Sequence, residues 1–248
     1  MLIWQGRSRY GGAAATRNRT IKAILTGYDP VKGYSRNIKT GPMVQLHILV
    51  AGQTPYQAQQ TGSDVLVCGT CSRRPSAAGR DGLARCYVRT EQGPTATHKA
   101  HQGERVAPRS AWPDRMIAAL GLRVGSYGDP AMLPPWLVQE LVRVAGGRHT
   151  AYTHEWNRKR AEWLRPLAMA SVDSVAELQQ ATAAGWRAFW AQDAPSDAAG
   201  LVHCPASIEM GHRTTCQHCT LCQGTSSKPS VYTYAHGYGR NRTTSNNK

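Results

Sequence analysis

An α/β fold is what this 248-residue sequence predicts: a mainly parallel sheet closed into a complete or partial (β/α) barrel and fitted with cysteine-rich loops. Three observations lead there. From residue 109 onward, short apolar runs alternate with amphipathic stretches of helical period, the rhythm of strands joined by right-handed crossovers. Gly or Pro punctuates most changes of period. No glycine-rich dinucleotide fingerprint follows any run, which favours a barrel over a doubly wound sheet.

"VQLHILVA" (44–51) is the strongest strand candidate ahead of residue 109, and "DVLVC" (64–68) is a further one. His47, inside the first run, reads either as a residue facing the interior or as a hydrogen-bonded core histidine. A helix is expected over Trp112–Leu120, opened by Ser110 and Pro113 and closed by Gly121. The strand "LRVGSY" (122–127) ends in "GDP". Pro135 begins "PWLVQELVRVA", whose Leu137, Leu141, Val142 and Ala145 share one face before Gly146 and Gly147 stop it. "HTAYTH" (149–154) is the next strand, "NRKRAEWLRP" (157–166) a helix and "LAMASV" (167–172) a strand. Ser174 and Glu177 form a capping box over "VAELQQATAA", which Gly185 terminates. "WRAFWA" (186–191) and "LVHC" (201–204) complete the series. The chain thus divides into a basic arm and lead-in (1–40), a barrel-like domain (41–203), a cysteine-rich segment (204–224) and a basic polar tail (225–248).

Thirty Lys and Arg against fifteen acids give a formal charge of +15, concentrated in 6–23, 32–39 and 237–248. Such ends attract DNA or RNA through their phosphates, and Tyr10, Tyr28 and Tyr34 offer faces on which single-stranded bases stack. No apolar run has the length of a membrane span, and none follows the N-terminal basic residues as in a secretory leader, so a reducing cytoplasm is the expected compartment. There, seven cysteines, an odd number, favour metal over a disulfide framework.

Those cysteines fall in two constellations. Cys204, Cys216, Cys219 and Cys222 have the spacing C-x11-C-x2-C-x2-C, a full set of soft ligands for zinc or an iron–sulfur cluster. The uninterrupted C-x2-C-x2-C run is closer to four-iron ferredoxin spacing than to a zinc knuckle, and Pro205 follows the outlying thiol. Cys68, Cys71 and Cys86 supply three more thiolates, enough for a four-iron cluster with one open iron. Alternatively, His98 or His101 completes a Cys3His zinc site.

In a barrel, chemistry gathers beyond the C-terminal ends of the strands. Ser126, Asp129, His154, Glu155, Asp173, Ser174 and His203 fall there. "TGYDPVKGYSRNIKTGPMVQLHILV", "CGTC", "CYV", "QGP" and "HCPASIEMGHRTTCQHCTLCQG" together resemble a family of bacteriophage and phage-derived proteins over roughly 26–224, which implies a host-cell cytoplasm and no particular activity. The combination of an α/β barrel with one three-cysteine and one four-cysteine cluster is similar to radical S-adenosylmethionine enzymes that carry an auxiliary iron–sulfur cluster. That resemblance implies one or two four-iron clusters, S-adenosylmethionine on the open iron, and an electron donor as partner. Ser126, Asp129, Glu155 and Asp173 are then the rim residues expected at the cofactor. The sequence departs from that family's C-x3-C-x2-C loop, and "GSYGDP" (125–130) stands where its "GGE" is usual. The alternative expectation is a metal-stabilised protein without catalysis that contacts nucleic acid through its basic ends.

Overall fold

The structure, a computed structural model, describes residues 1–13, 18–29, 31, 33–77, 86, 88–192, 200–224 and 227–234. Strands β1 (Leu2–Arg7), β2 (Thr20–Thr26), β3 (Tyr28–Asp29), β4 (Gly33–Tyr34) and β5 (Val44–Val50) come first. Three short helices follow, α1 (Pro55–Gln60), α2 (Val65–Cys68) and α3 (Gly93–Ala100). Next come α4 (Asp114–Leu120), β6 (Leu122–Tyr127), α5 (Pro135–Val144), β7 (His149–Thr150), β8 (Tyr152–Thr153) and β9 (Met169–Val172). The chain continues through α6 (Val175–Ala183), β10 (Ala188–Gln192), β11 (Val202–His203), α7 (Cys216–Cys219) and β12 (Val231–Tyr234).

Two five-stranded sheets carry the fold, ordered β1-β2-β5-β6-β7 and β11-β12-β10-β9-β8. The first is antiparallel from β1 to β5 and parallel from β5 to β7, while the second is parallel throughout. This is a mixed α/β architecture with mostly parallel sheets. Ala151 alone separates β7 from β8, so one stretch of chain leaves the first sheet and enters the second. Its carbonyl accepts from Met169 N–H at 2.9 Å, and its own N–H donates to the Cys222 carbonyl at 3.1 Å. The cysteine-rich segment therefore supplies a backbone bond at the join.

Burial follows the sequence pattern. Every residue of β5 is buried, as a strand covered on both faces requires. Pro135 opens α5, and Leu137, Val138, Leu141 and Val142 form its buried stripe, each side chain contributing roughly 1.5–3 kcal/mol by leaving water. In the second sheet the period of two divides the residues cleanly. Ala170, Val172, Ala188 and Trp190 belong to the main core, whereas Met169, Phe189 and Val231 join Cys204, Ala206 and Cys222 in a separate apolar cluster on the opposite face.

Several local expectations change. "DVLVC" is α2 rather than a strand: Cys68 N–H closes onto Asp64 O at 2.8 Å, and a four-residue apolar run has no periodicity with which to tell the two apart. The helix expected over 157–166 is a 3-10 helix, Lys159–Leu164. The capping box is half made: Ser174 accepts from Glu177 N–H, but the Glu177 carboxylate reaches Asp173 N–H instead. Residues 1–40 contribute β1 and β2, with Leu2, Ile3, Ile21 and Leu25 in the core, and the tail 225–248 contains β12, which lies between β10 and β11. Among the described residues, no helix is long and apolar enough to cross a membrane.

Candidate metal centres

Cys68 ends α2, and the loop after it is braced from both sides. Gly69 takes φ +60°, and a β-carbon there would collide with the Glu155 carboxylate. The clearance matters because Glu155, itself fully buried, accepts from Thr70 N–H at 2.6 Å and the Thr70 hydroxyl at 2.9 Å while pairing with Arg160. On the other side Asp173 accepts from the Ser72 hydroxyl at 2.5 Å and Arg73 Nε at 2.7 Å, and Arg73 also donates to Ala191 O at 2.9 Å. Cys68, Cys71 and Cys86 thereby line one small pocket of about 80 Å³, together with Asp129 and His154.

The first thiol set is held protonated by its surroundings. Burial, with the neighbouring thiols adding to it, pushes Cys68 well up; burial pushes Cys71 up to about 12 against a backbone hydrogen bond from Arg73, and raises Cys86 as well. His154 Nε2 stands 3.8 Å from Cys71 Sγ and 3.8 Å from Asp173 Oδ2. Burial holds this imidazole below its ordinary pKa despite the Asp173 charge. His98 and His101 face elsewhere: His98 pairs with Gln102 at 3.0 Å, and His101 with Glu104 at 2.5 Å. His154 follows β8 directly, and the sequence signal for it was its place at a strand end.

Of the rim residues, Ser126, Asp129 and His154 line this pocket and Glu155 and Asp173 brace its loop, whereas Ser174 caps α6 and His203 stacks on Tyr232 away from it; the three carboxylates are engaged by the chain itself. Asp129 accepts from Ala131 N–H, the Thr153 hydroxyl and His154 N–H at 2.8–2.9 Å; burial still pushes its carboxyl up to about 7. Burial alone would raise Asp173, but the His154 and Arg73 charges and the hydrogen bonds from Ser72 and Arg73 hold it below the ordinary carboxylate value. Ser126 lines the pocket and donates to Gln45 Oε1 at 2.5 Å.

The second thiol set is assembled by backbone contacts spread across the fold. Cys204 N–H donates to Tyr232 O on β12, Cys216 N–H to Lys39 O ahead of β5, and Cys222 O accepts at Ala151. Arg187, buried beside β10, ties down the end of the segment with bonds to Leu221 O and Gly224 O at 2.7 Å and Pro229 O at 2.5 Å. Gly224, at φ +91°, lies flush on Leu167, whose backbone N would be 2.6 Å from an added β-carbon. All four cysteines line an enclosure of about 10 Å³ that Tyr152 walls. Burial raises Cys222 to about 12, against a hydrogen bond from Tyr152, and Cys216 to about 11, against the Arg123 charge.

Between the two sets lies a cavity of about 610 Å³, a size suited to a small-molecule ligand. Arg123, Ser126 and Tyr152 belong both to it and to the pocket of the first thiol set; Thr150, Tyr152 and Cys216 belong both to it and to the enclosure of the second. Tyr152 thus touches all three spaces. His47 also lines the cavity, with an Nδ1 that is buried and meets no hydrogen-bond partner.

All seven cysteines are free thiols. Among the described residues no group of three or more His, Cys, Asp or Glu side chains is arranged to hold a metal ion. The thiols of each set share an enclosure, and ligation requires them to turn toward a common point and to lose their protons, a loss that burial opposes at Cys68, Cys71, Cys86, Cys216, Cys219 and Cys222. At the basic N-terminus, Arg19 donates to Tyr10 O and Gly12 O, and Arg9 lies over the Trp163 ring at 5.7 Å. Residues 14–17 and 235–248, part of the expected nucleic-acid contact, lie outside the described residues.

The fold and these sites define a mixed α/β protein with two thiol-rich enclosures that share wall residues with one cavity. In comparisons with known proteins, no protein family, no curated protein and no solved structure matches the chain.

Proposed function

We propose that this chain is an iron–sulfur protein of radical S-adenosylmethionine-like type, built on a partial (β/α) barrel in which the two sheets are joined at Ala151. The single observation that supports it is the central cavity: it shares wall residues with the pocket of three thiols and with the enclosure of four, Cys216 lines it directly, and Tyr152 is common to all three. Three protein thiolates leave a four-iron cluster one open position, and four close the other cluster. When bound, such clusters supply one-electron chemistry.

The chain's own residues have definable tasks in this reading. Glu155 and Asp173 fix the Cys68–Cys71 loop through Thr70, Ser72 and Arg73. Asp129 orders the chain at Thr153 and His154. Tyr152 and Phe189, with ring centroids 4.6 Å apart, give the cavity between the two sets an aromatic wall. Anaerobic reconstitution, iron and sulfide analysis, and paramagnetic resonance with and without S-adenosylmethionine test the proposal. A cluster signal altered by the cofactor, with 5′-deoxyadenosine as product, is the expected result. Stoichiometric zinc at both sites and no response to the cofactor sinks it.

A second reading has its own observation. The His154 imidazole beside Cys71 is a ready fourth donor, and the 10 Å³ enclosed by the other four thiols is close to the volume of one water-sized sphere. Both centres would then be closed zinc sites that fasten loops of a protein contacting DNA or RNA through its basic ends. Salt-dependent binding of single-stranded or duplex nucleic acid, weakened by orders of magnitude between about 50 and 200 mM salt as expected of a protein neutralising several phosphates, distinguishes it.

A further inference from the structure

The cavity is electrostatically one-sided. Lys39, Arg89 and Arg123 line it, and among the described residues no Asp or Glu does. Arg123 projects from β6 into the space between the two thiol sets. Among the described residues it makes no hydrogen bond or ion pair, although it is half-buried. A guanidinium drawn out of water without a partner is costly, and its forked donors match a carboxylate or phosphate.

Two further atoms in the same walls are unsatisfied. His47 from β5 and Thr233 from β12 are both more than nine-tenths buried, and among the described residues neither His47 Nδ1 nor Thr233 Oγ1 meets a hydrogen-bond partner. These belong to different sheets yet line one space. Tyr152 and Phe189 complete the lining with aromatic surface, tilted at 53° to each other.

We infer that this cavity binds a small ligand with a planar ring and one carboxylate or phosphate, its anionic group on Arg123 and its polar ring edge between His47 and Thr233. As the substrate class of the proposed enzyme, this rests on the reading above; as a binding site, it stands on the cavity alone. The competing role for Arg123 is to offset negative thiolates, since its charge already favours the ionised form of Cys216. That role predicts no discrimination between charged and uncharged ligands.

The test is calorimetry on the anaerobically purified full chain with two matched pairs: guanosine 5′-monophosphate against guanosine, and indole-3-acetate against indole-3-acetamide. The expected result is that at least one anion binds about tenfold or more tightly than its neutral partner. Arg123→Gln should remove that preference and Arg123→Lys retain part of it, a tenfold step being about 1.4 kcal/mol. Equal affinity within both pairs, no anion bound at about 1 mM, the range of weak specific ligands, or an anion preference that persists in folded Arg123→Gln overturns the inference. Metal content and cofactor cleavage are measured on the same wild-type samples. Anion preference without iron leaves the cavity site standing and removes the reaction; cofactor cleavage without anion preference does the reverse.

Discussion

Cys71 Sγ and His154 Nε2 lie 3.8 Å apart, although 83 residues separate them in the chain. The pair decides whether the first thiol set is open or closed. Under the proposed function His154 is a neighbour and not a ligand, so His154→Ala should leave iron at the first centre and preserve the spectral response to S-adenosylmethionine. Loss of metal in a folded His154→Ala protein means a closed Cys3His site. Metal analysis beside circular dichroism reads the difference.

Gly69 should be the least replaceable residue of "CGTC" apart from its thiols. Gly69→Ala places a methyl group against the Glu155 carboxylate at a backbone angle that L-residues rarely adopt. The cost is expected to be about 2 kcal/mol or more, because both the backbone strain and the displaced Thr70 bonds count. Urea unfolding measures it. A Gly69→Ala protein as stable as wild type, with unchanged metal content at the first centre, contradicts the bracing role of Glu155.

At the second thiol set, metal and backbone contacts are separable. Cys219→Ala removes a candidate ligand whose thiol is only half-buried, so it should lower metal content while leaving the sheets folded. Arg187→Met removes a guanidinium that satisfies three carbonyls, and should cost on the order of 2–4 kcal/mol even without metal. Hydrogen exchange of 204–224 in metal-free and metal-loaded protein provides the comparison. Equal exchange in the two forms would falsify a metal at this set.

His47 gives a pH dependence. Burial first, then the Arg123 and His101 charges, hold its pKa down at about 4, against 6.5 in the unfolded chain. Between those values the unfolded chain binds a proton that the fold refuses, so this contribution is present above pH 6.5 and is lost as pH falls toward 4. Its size is on the order of 3 kcal/mol. Asp129, raised to about 7, acts in the opposite sense, since its contribution is present below pH 3.8 and lost as pH rises through 7. The informative quantity is therefore the stability of His47→Gln relative to wild type, which should improve as pH is lowered from 7 to 4. A difference that does not vary with pH contradicts the buried neutral imidazole.

The sequence made the local vocabulary legible and left much of the tertiary grammar hidden. "LRVGSY" and "VQLHILV" announce themselves as strands because glycines or prolines bracket apolar runs of the right length. The two thiol sets could be grouped because clustered cysteines need common partners, and their grouping matches the enclosures they line. Charge concealed β1 and β2: Arg7 and Lys22 suggest a solvated arm, yet Leu2, Ile21 and Ile24 on the same strands are buried. The four residues of β12 carry two tyrosines inside a polar tail, too short a run to signal a strand between two others. His154 was visible at a strand end, but its approach to Cys71 depends on a loop returning from 68–74, which spacing alone does not encode.

The position of β12 has a consequence for how the protein is made. It is the last described strand to be synthesised, yet it lies inside the second sheet, between β10 and β11, and its Tyr232 carbonyl holds Cys204 N–H at 2.8 Å. Until residues 231–234 have left the ribosome, β11 has no ladder to join and Cys204 has no fixed place beside the other three thiols. An emerging chain is translated at roughly 5–20 residues per second, so the four cysteines spend seconds in the cell before their enclosure exists. The order of synthesis thus makes the second thiol set a late assembly, and if it takes a metal as proposed, its four thiols must stay reduced until β12 has been made.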